Sequence, residues 1–184
     1  MAGIGFELKK LFSNNSILLK MRANLFSGLV IAGPMFMGAL LLLGLKYLAV
    51  IAGTTLKEQD ILIVIVTYSL LFSLLLINIL SYILSRFVAD MVYNDMHERI
   101  MPSMYGSISL LLAVGAPGWA LFLYLSKLPF EYSIFAFTLF CLAVVVWTQI
   151  SYITDIKRYK EIIYGFTVGI VFSLILGFIM LVNQ

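Results

Sequence analysis

Residues able to do chemistry are few in this chain, and they gather in one short stretch. Arg86 and Asp90 stand four apart, a spacing that puts opposite charges on one helix face, and Tyr93 and Asn94 follow one turn later. Asp95 and Arg99 repeat the spacing with the acid first, the favoured order for a structural ion pair. The single histidine, His97, lies between Asp95 and Glu98 as a surface residue. Asn78 and Gln149 are polar side chains deep in apolar runs. Polar groups at membrane depth are costly, so each is a candidate for lining a hydrophilic cavity between helices. The plainer alternative is a helix–helix hydrogen bond, worth about 0.6 kcal/mol on average. No His, Cys and Asp cluster has metal-ligand spacing, and neither G-x-S-x-G nor a phosphate-binding loop occurs. The expectation is therefore no catalytic residue, no metal, no cofactor and no enzyme activity.

The elements that must position these residues follow from composition. Of 184 residues, 62% are hydrophobic and 11% charged. Soluble domains run about 45–50% apolar and about 25% charged. A chain so apolar needs lipid as its solvent, and lipid cannot satisfy a bare backbone, so spanning elements are helices or a closed barrel. The long unbroken apolar runs are those of helices. The fold class expected is all-α, a polytopic transmembrane bundle of about five spanning helices plus an N-terminal interfacial helix. Net charge is +3, but the basic residues flank apolar runs, which makes them topology signals and gives no reason to expect nucleic acid. The lone Cys141 excludes an intrachain disulfide. The first apolar run is too long, and too far from the start, for a cleavable signal.

Residues 1–22 form a basic leader in which Ile4, Leu8, Leu11 and Phe12 share one helix face, the pattern of a helix lying on the membrane surface. Residues 23–184 form the bundle. Helix 1 is expected from Ala23 to Leu45, extending toward Ile51, with a kink or hinge at Gly33-Pro34. A loop, 53–60, leads to helix 2, which starts near Ile61 behind Glu58 and Asp60. Its lipid-compatible part ends near Ser85. The charged remainder to Arg99 has no breaker, so one long helix should project from the bilayer until Pro102 stops it. Helices 3, 4 and 5 are expected over about 103–125, 132–154 and 162–182, and Gly165 and Gly169 form a GxxxG packing pattern in the last. Lys9, Lys10, Lys20, Arg22, Arg86, Arg99, Lys157, Arg158 and Lys160 then fall on one side, with Lys46, Lys57 and Lys127 on the other. The positive side is cytoplasmic, which places the N-terminus inside a cytoplasmic (inner) membrane and the C-terminus outside.

Met1 to Leu11, MAGIGFELKKL, resembles the start of PelG-family proteins, the inner-membrane export component of the Pel exopolysaccharide system. The likeness continues in Ser27-Gly28, in Ala32-Gly33-Pro34, in Ser85-Arg86-Phe87-Val88-Ala89-Asp90 with Tyr93, and in residues 155–166 leading into Gly169. The resemblance implies a polysaccharide transporter related to the multidrug and oligosaccharidyl-lipid flippases, bundles of about twelve helices in two related halves. Five helices would make this chain the N-terminal part of such a transporter. The implied substrate is a Pel-type amino-sugar polymer, and the implied partners are the lipid bilayer, other Pel-type membrane proteins and a cytoplasmic glycosyltransferase. Under that reading Arg86, Asp90 and Tyr93 form the cytoplasmic mouth of the substrate path, Asn78 and Gln149 face a cavity that takes sugar hydroxyls, and Gly33-Pro34 is the hinge. Rival readings are a lipid-linked oligosaccharide flippase, a scaffold that recruits a glycosyltransferase without transporting, and an intramembrane enzyme, which the shortage of paired acids disfavours.

Overall fold

A computed structural model describes residues 38–156 and 159–182, and among them five α-helices and no strand. The helices are α1 (Gly38–Ile51), α2 (Leu56–Tyr93), α3 (Ile100–Ser126), α4 (Phe130–Asp155) and α5 (Tyr159–Val182), with a 3-10 turn His97–Arg99 before α3. The interfacial helix expected in 1–22 and the Gly33-Pro34 hinge lie outside the described residues. Three helices, α2, α3 and α4, are long and apolar enough to cross a membrane, and α1 and α5 carry shorter apolar stretches. Large apolar side chains pave the outside of α3: Val114, Leu121 and Leu125 are all more than half exposed. In water such a surface would drive association; in lipid it is solvated.

The chain forms two compact units, one of Met1–Gln59 with Lys157–Gln184 and the other of Asp60–Ile156. In the first, α1 and α5 meet through glycine. A Cβ on Gly44 would come within 2.7 Å of Leu174 Cδ2, and one on Gly177 within 2.8 Å of Leu48 Cδ1. Each leucine fills the space left by a missing side chain on the facing helix, the small-residue packing that membrane helices use. The expected GxxxG pair is not that contact, because a Cβ at Gly165 or Gly169 would meet no described atom within 4 Å.

The second unit is a three-helix cluster of α2, α3 and α4. Its core includes Val88, Leu111, Trp119, Ala136, Phe140, Val144 and Tyr152. At its middle a Cβ on Gly115 would overlap Leu76 Cδ2 of α2 and come within 3.2 Å of Phe140 Cζ of α4. Gly115 of α3 is thus the point where side chains of α2 and α4 close on the backbone of α3.

Helix ends differ from the sequence expectation for identifiable reasons. α2 begins at Leu56 instead of Ile61. Thr55 and Glu58 form a capping box: Thr55 N donates to Glu58 Oε2 at 2.9 Å, and Glu58 N donates back to Thr55 Oγ1 at 3.4 Å. The preceding connection is correspondingly short. Gly53, at φ +70°, closes α1 with Gly53 N→Val50 O and Thr54 N→Ala49 O bonds, the Schellman arrangement. The other end of α2 repeats the device without glycine. Asp95 takes φ +55°, Asp95 N donates to Val92 O, and Met96 N donates to Met91 O at 2.9 Å. The helix therefore stops at Tyr93, and the expected projection to Pro102 does not form. Pro102 instead sits in the first turn of α3, where a proline costs no helical hydrogen bond.

Two outcomes test these junctions by thermal or denaturant unfolding in detergent. Gly115→Ile should cost about 1–3 kcal/mol by overpacking, and Gly115→Ala distinctly less because the Leu76 end can swing away. Asp95→Gly should be neutral or stabilising, while Asp95→Val should cost about 1–2 kcal/mol for a branched residue in the left-handed region.

Candidate functional site

Polar side chains of the three-helix unit fall into two sets with opposite surroundings. The first set points inward. Each helix brings a hydroxyl pair at i, i+4 into the core: Ser69 and Ser73 from α2, Ser103 and Ser107 from α3, Thr148 and Tyr152 from α4. Four residues apart in a helix means one face. Ser69 Oγ donates to the Ala136 carbonyl at 3.3 Å, and Trp119 Nε1 donates to the same oxygen at 3.2 Å. Trp147 Nε1 donates to Ser73 Oγ at 3.1 Å. The Tyr152 hydroxyl lies 3.1 Å from Ser103 Oγ and 3.0 Å from Ser107 Oγ. Where α4 ends, Ser85 Oγ of α2 donates to the Asp155 carboxylate, 2.9 and 3.0 Å from its two oxygens. Among the described residues no buried side-chain N or O atom lacks a partner. This inward set is saturated by the protein itself, so its chemistry is to fasten helices together and not to hold a ligand.

The second set points outward from α2 and contains most of the sequence candidates. Arg86 Nε reaches Asp90 Oδ2 at 3.4 Å, with the two side chains 76% and 52% exposed. Tyr93, one turn further, is 88% exposed. Tyr82, Arg86, Asp90 and Tyr93 step by four, four and three residues and so form one stripe along the helix. Asn78 is exposed beside that stripe, and its Nδ2 donates to Leu74 O of its own helix at 2.8 Å. The helix–helix hydrogen bond considered for it is therefore not the one observed. Gln149 is exposed on α4, apart from the stripe. The structural pair expected between Asp95 and Arg99 is replaced: Asp95 Oδ1 lies 3.8 Å from His97 Nε2 across the turn that ends α2.

Charge and hydrogen-bonding capacity on the outward stripe are only partly spent, in one exposed ion pair and one bond within the helix. An exposed Arg–Asp pair is held weakly, by about 0.2–1 kcal/mol, and can exchange its partner for a solute. Phenol rings beside it offer both a flat apolar face and a hydroxyl. The stripe is thus fitted to bind a neutral or charged hydroxylated solute without covalent change. At least three His, Cys, Asp or Glu residues grouped to hold a metal ion are absent among the described residues.

Sequence reasoning found the outward stripe and missed the inward one. The signal was present: three hydroxyl pairs at i, i+4, each inside an apolar run. The Ser85–Asp155 bond has a further feature. Its partners open two of the sequence blocks, 85–90 and 155–166, that carried the family likeness.

A double-mutant cycle should separate the two kinds of polar contact. Ser85→Ala combined with Asp155→Asn is expected to show a coupling of about 1 kcal/mol or more, because a half-buried hydroxyl–carboxylate bond is held out of water. Arg86→Ala with Asp90→Ala should couple by under about 0.5 kcal/mol.

Comparison with known proteins points the same way over the whole length. The model of the PelG family, described as "Putative exopolysaccharide Exporter (EPS-E)", matches residues 1–184. No curated protein and no solved structure matches.

Proposed function

The chain belongs to the PelG family of exopolysaccharide exporters, and from that premise we propose that it carries a Pel-type exopolysaccharide across the cytoplasmic membrane during biofilm matrix production. It acts without covalent chemistry, by alternating access or as a conduit. The observation that carries this reading is the outward stripe of α2. At about 1.5 Å per residue, the 38 residues of α2 extend about 57 Å, well beyond a hydrocarbon core of about 30 Å. Arg86, Asp90 and Tyr93 therefore stand past the apolar segment, on the side that the Lys/Arg bias of the sequence marks as cytoplasmic, and form the cytoplasmic mouth. Asn78 lies further in on the same side of the helix. The N-terminus is cytoplasmic under the same charge rule. A cytoplasmic glycosyltransferase would deliver the polymer at this mouth, beside the other Pel-type membrane proteins.

Arg86→Glu in the natural protein should reduce surface polysaccharide at least tenfold while leaving the amount of protein in the membrane unchanged. The charge-swapped pair Arg86→Asp with Asp90→Arg should not restore export if the cation contacts the polymer. Normal export by Arg86→Glu would refute the assignment. Restoration by the swap would reduce the pair to a local ion pair.

A further inference from the structure

The outward face of α2 continues beyond the residues assigned above. Counting back from Arg86 in steps of three and four reaches Tyr82, Ile79, Leu75, Phe72 and Tyr68, all exposed and all on one face. At the far end of this stripe the surface changes character. Tyr68 and Phe72 meet Phe122 of α3, with ring centroids 6.4 and 5.3 Å away. Behind them Trp119 stacks on Phe122 at 5.1 Å and 20°, and on Phe140 at 5.1 Å and 17°. Trp119 is itself pinned by its hydrogen bond to Ala136 O. The three front rings remain 48%, 37% and 39% exposed, a shelf held rigid from behind and open in front.

Lipid is a poor occupant for that shelf. Tyr68 lies eight residues beyond Asp60, about 12 Å along the helix axis and inside the apolar segment. Its neighbour Thr67 is also exposed, and neither hydroxyl pairs with a described residue. Tyrosines that anchor in headgroups sit at the ends of spans, not at this depth. Polar groups at hydrocarbon depth line hydrated paths in preference to lipid. A hydrated path that also presents exposed aromatic rings suits one kind of solute. A pyranose has an apolar face of C–H groups and a rim of hydroxyls, so it can lie on an aromatic ring while bonding to the Tyr68 hydroxyl.

We propose that Tyr68, Phe72 and Phe122 form a sugar-stacking subsite, the inner continuation of the α2 stripe, on which pyranose rings of the exported polymer rest in transit. This rests on the exporter reading above and adds to it a second binding point deep in the membrane. Rigid backing by Trp119 and Phe140 keeps the rings from collapsing on one another when the site is empty. Stacking tolerates any pyranose, which suits a polymer that must slide and not be held.

The test uses the natural protein in its own cells. Phe72→Leu with Phe122→Leu keeps the surface apolar and removes the ring faces. Surface polysaccharide should fall at least tenfold at unchanged protein level, and Phe72→Tyr with Phe122→Tyr should return most of it. Normal export by the leucine pair would show a lipid-facing surface and overturn the subsite. Because leucine could also loosen packing, Tyr68→Cys in a Cys141→Ser background provides a second reading with a membrane-impermeant maleimide. The subsite requires labelling in cells that make no polymer and at least threefold protection in cells that do. Absence of labelling, or labelling without protection, would overturn it. Arg86→Glu run in parallel separates the two failures: lost export there with intact export by the leucine pair removes only the subsite, whereas intact export by both also removes the α2 mouth on which the exporter reading rests.

Discussion

One carbonyl oxygen holds the three-helix unit together. Ala136 O of α4 accepts from Ser69 of α2 and Trp119 of α3, so a single buried atom joins all three helices. In water such bonds would add little, because each group has a solvent partner when the helices part. In hydrocarbon no substitute exists within the lipid, although separated helices do find partial replacements of their own. The indole that donates to this oxygen also stacks on Phe122 and Phe140 and meets Phe72 at a tilt. The polar junction and the aromatic cluster are therefore one feature, and it fixes which faces of α2 and α3 remain outside.

That division explains how so apolar a chain keeps its polar groups useful. The hydroxyl pairs buried between helices are spent on other protein atoms, and the Ser85–Asp155 bond closes the same seam at its charged end. The outward face of α2 is left with groups that have capacity to spare. Core packing and the exposed polar stripe lie on opposite sides of one helix, so substitutions on the outward stripe should disturb the core little.

The connections are short for the same physical reason. Gly53 and Asp95 each turn the chain in the left-handed conformation and satisfy the last carbonyls of α1 and α2 at once. Lys127, at φ +53°, serves at the end of α3, with Pro129 entering α4 two residues later. Every helix end satisfied within the backbone leaves fewer polar groups at the edge of the hydrocarbon.

Composition and apolar run length by themselves determined a helical membrane protein, because lipid leaves an unpaired backbone no alternative. Local spacing likewise determined the Arg86–Asp90 pair and its exposure. The capping box at Thr55–Glu58 was legible too, though charge alone drew attention to Glu58. What spacing could not decide was which helix faces meet. Gly165 and Gly169 carry the motif for close packing, yet among the described residues it is Gly44 and Gly177 that leucines of the facing helix fill, because a small residue matters only where a large one faces it. The end of α2 at Asp95 needed a backbone conformation that aspartate permits without announcing. The shelf of Tyr68, Phe72 and Phe122 joins residues some fifty positions apart, and only the packing of α2 on α3 through Trp119 brings them together.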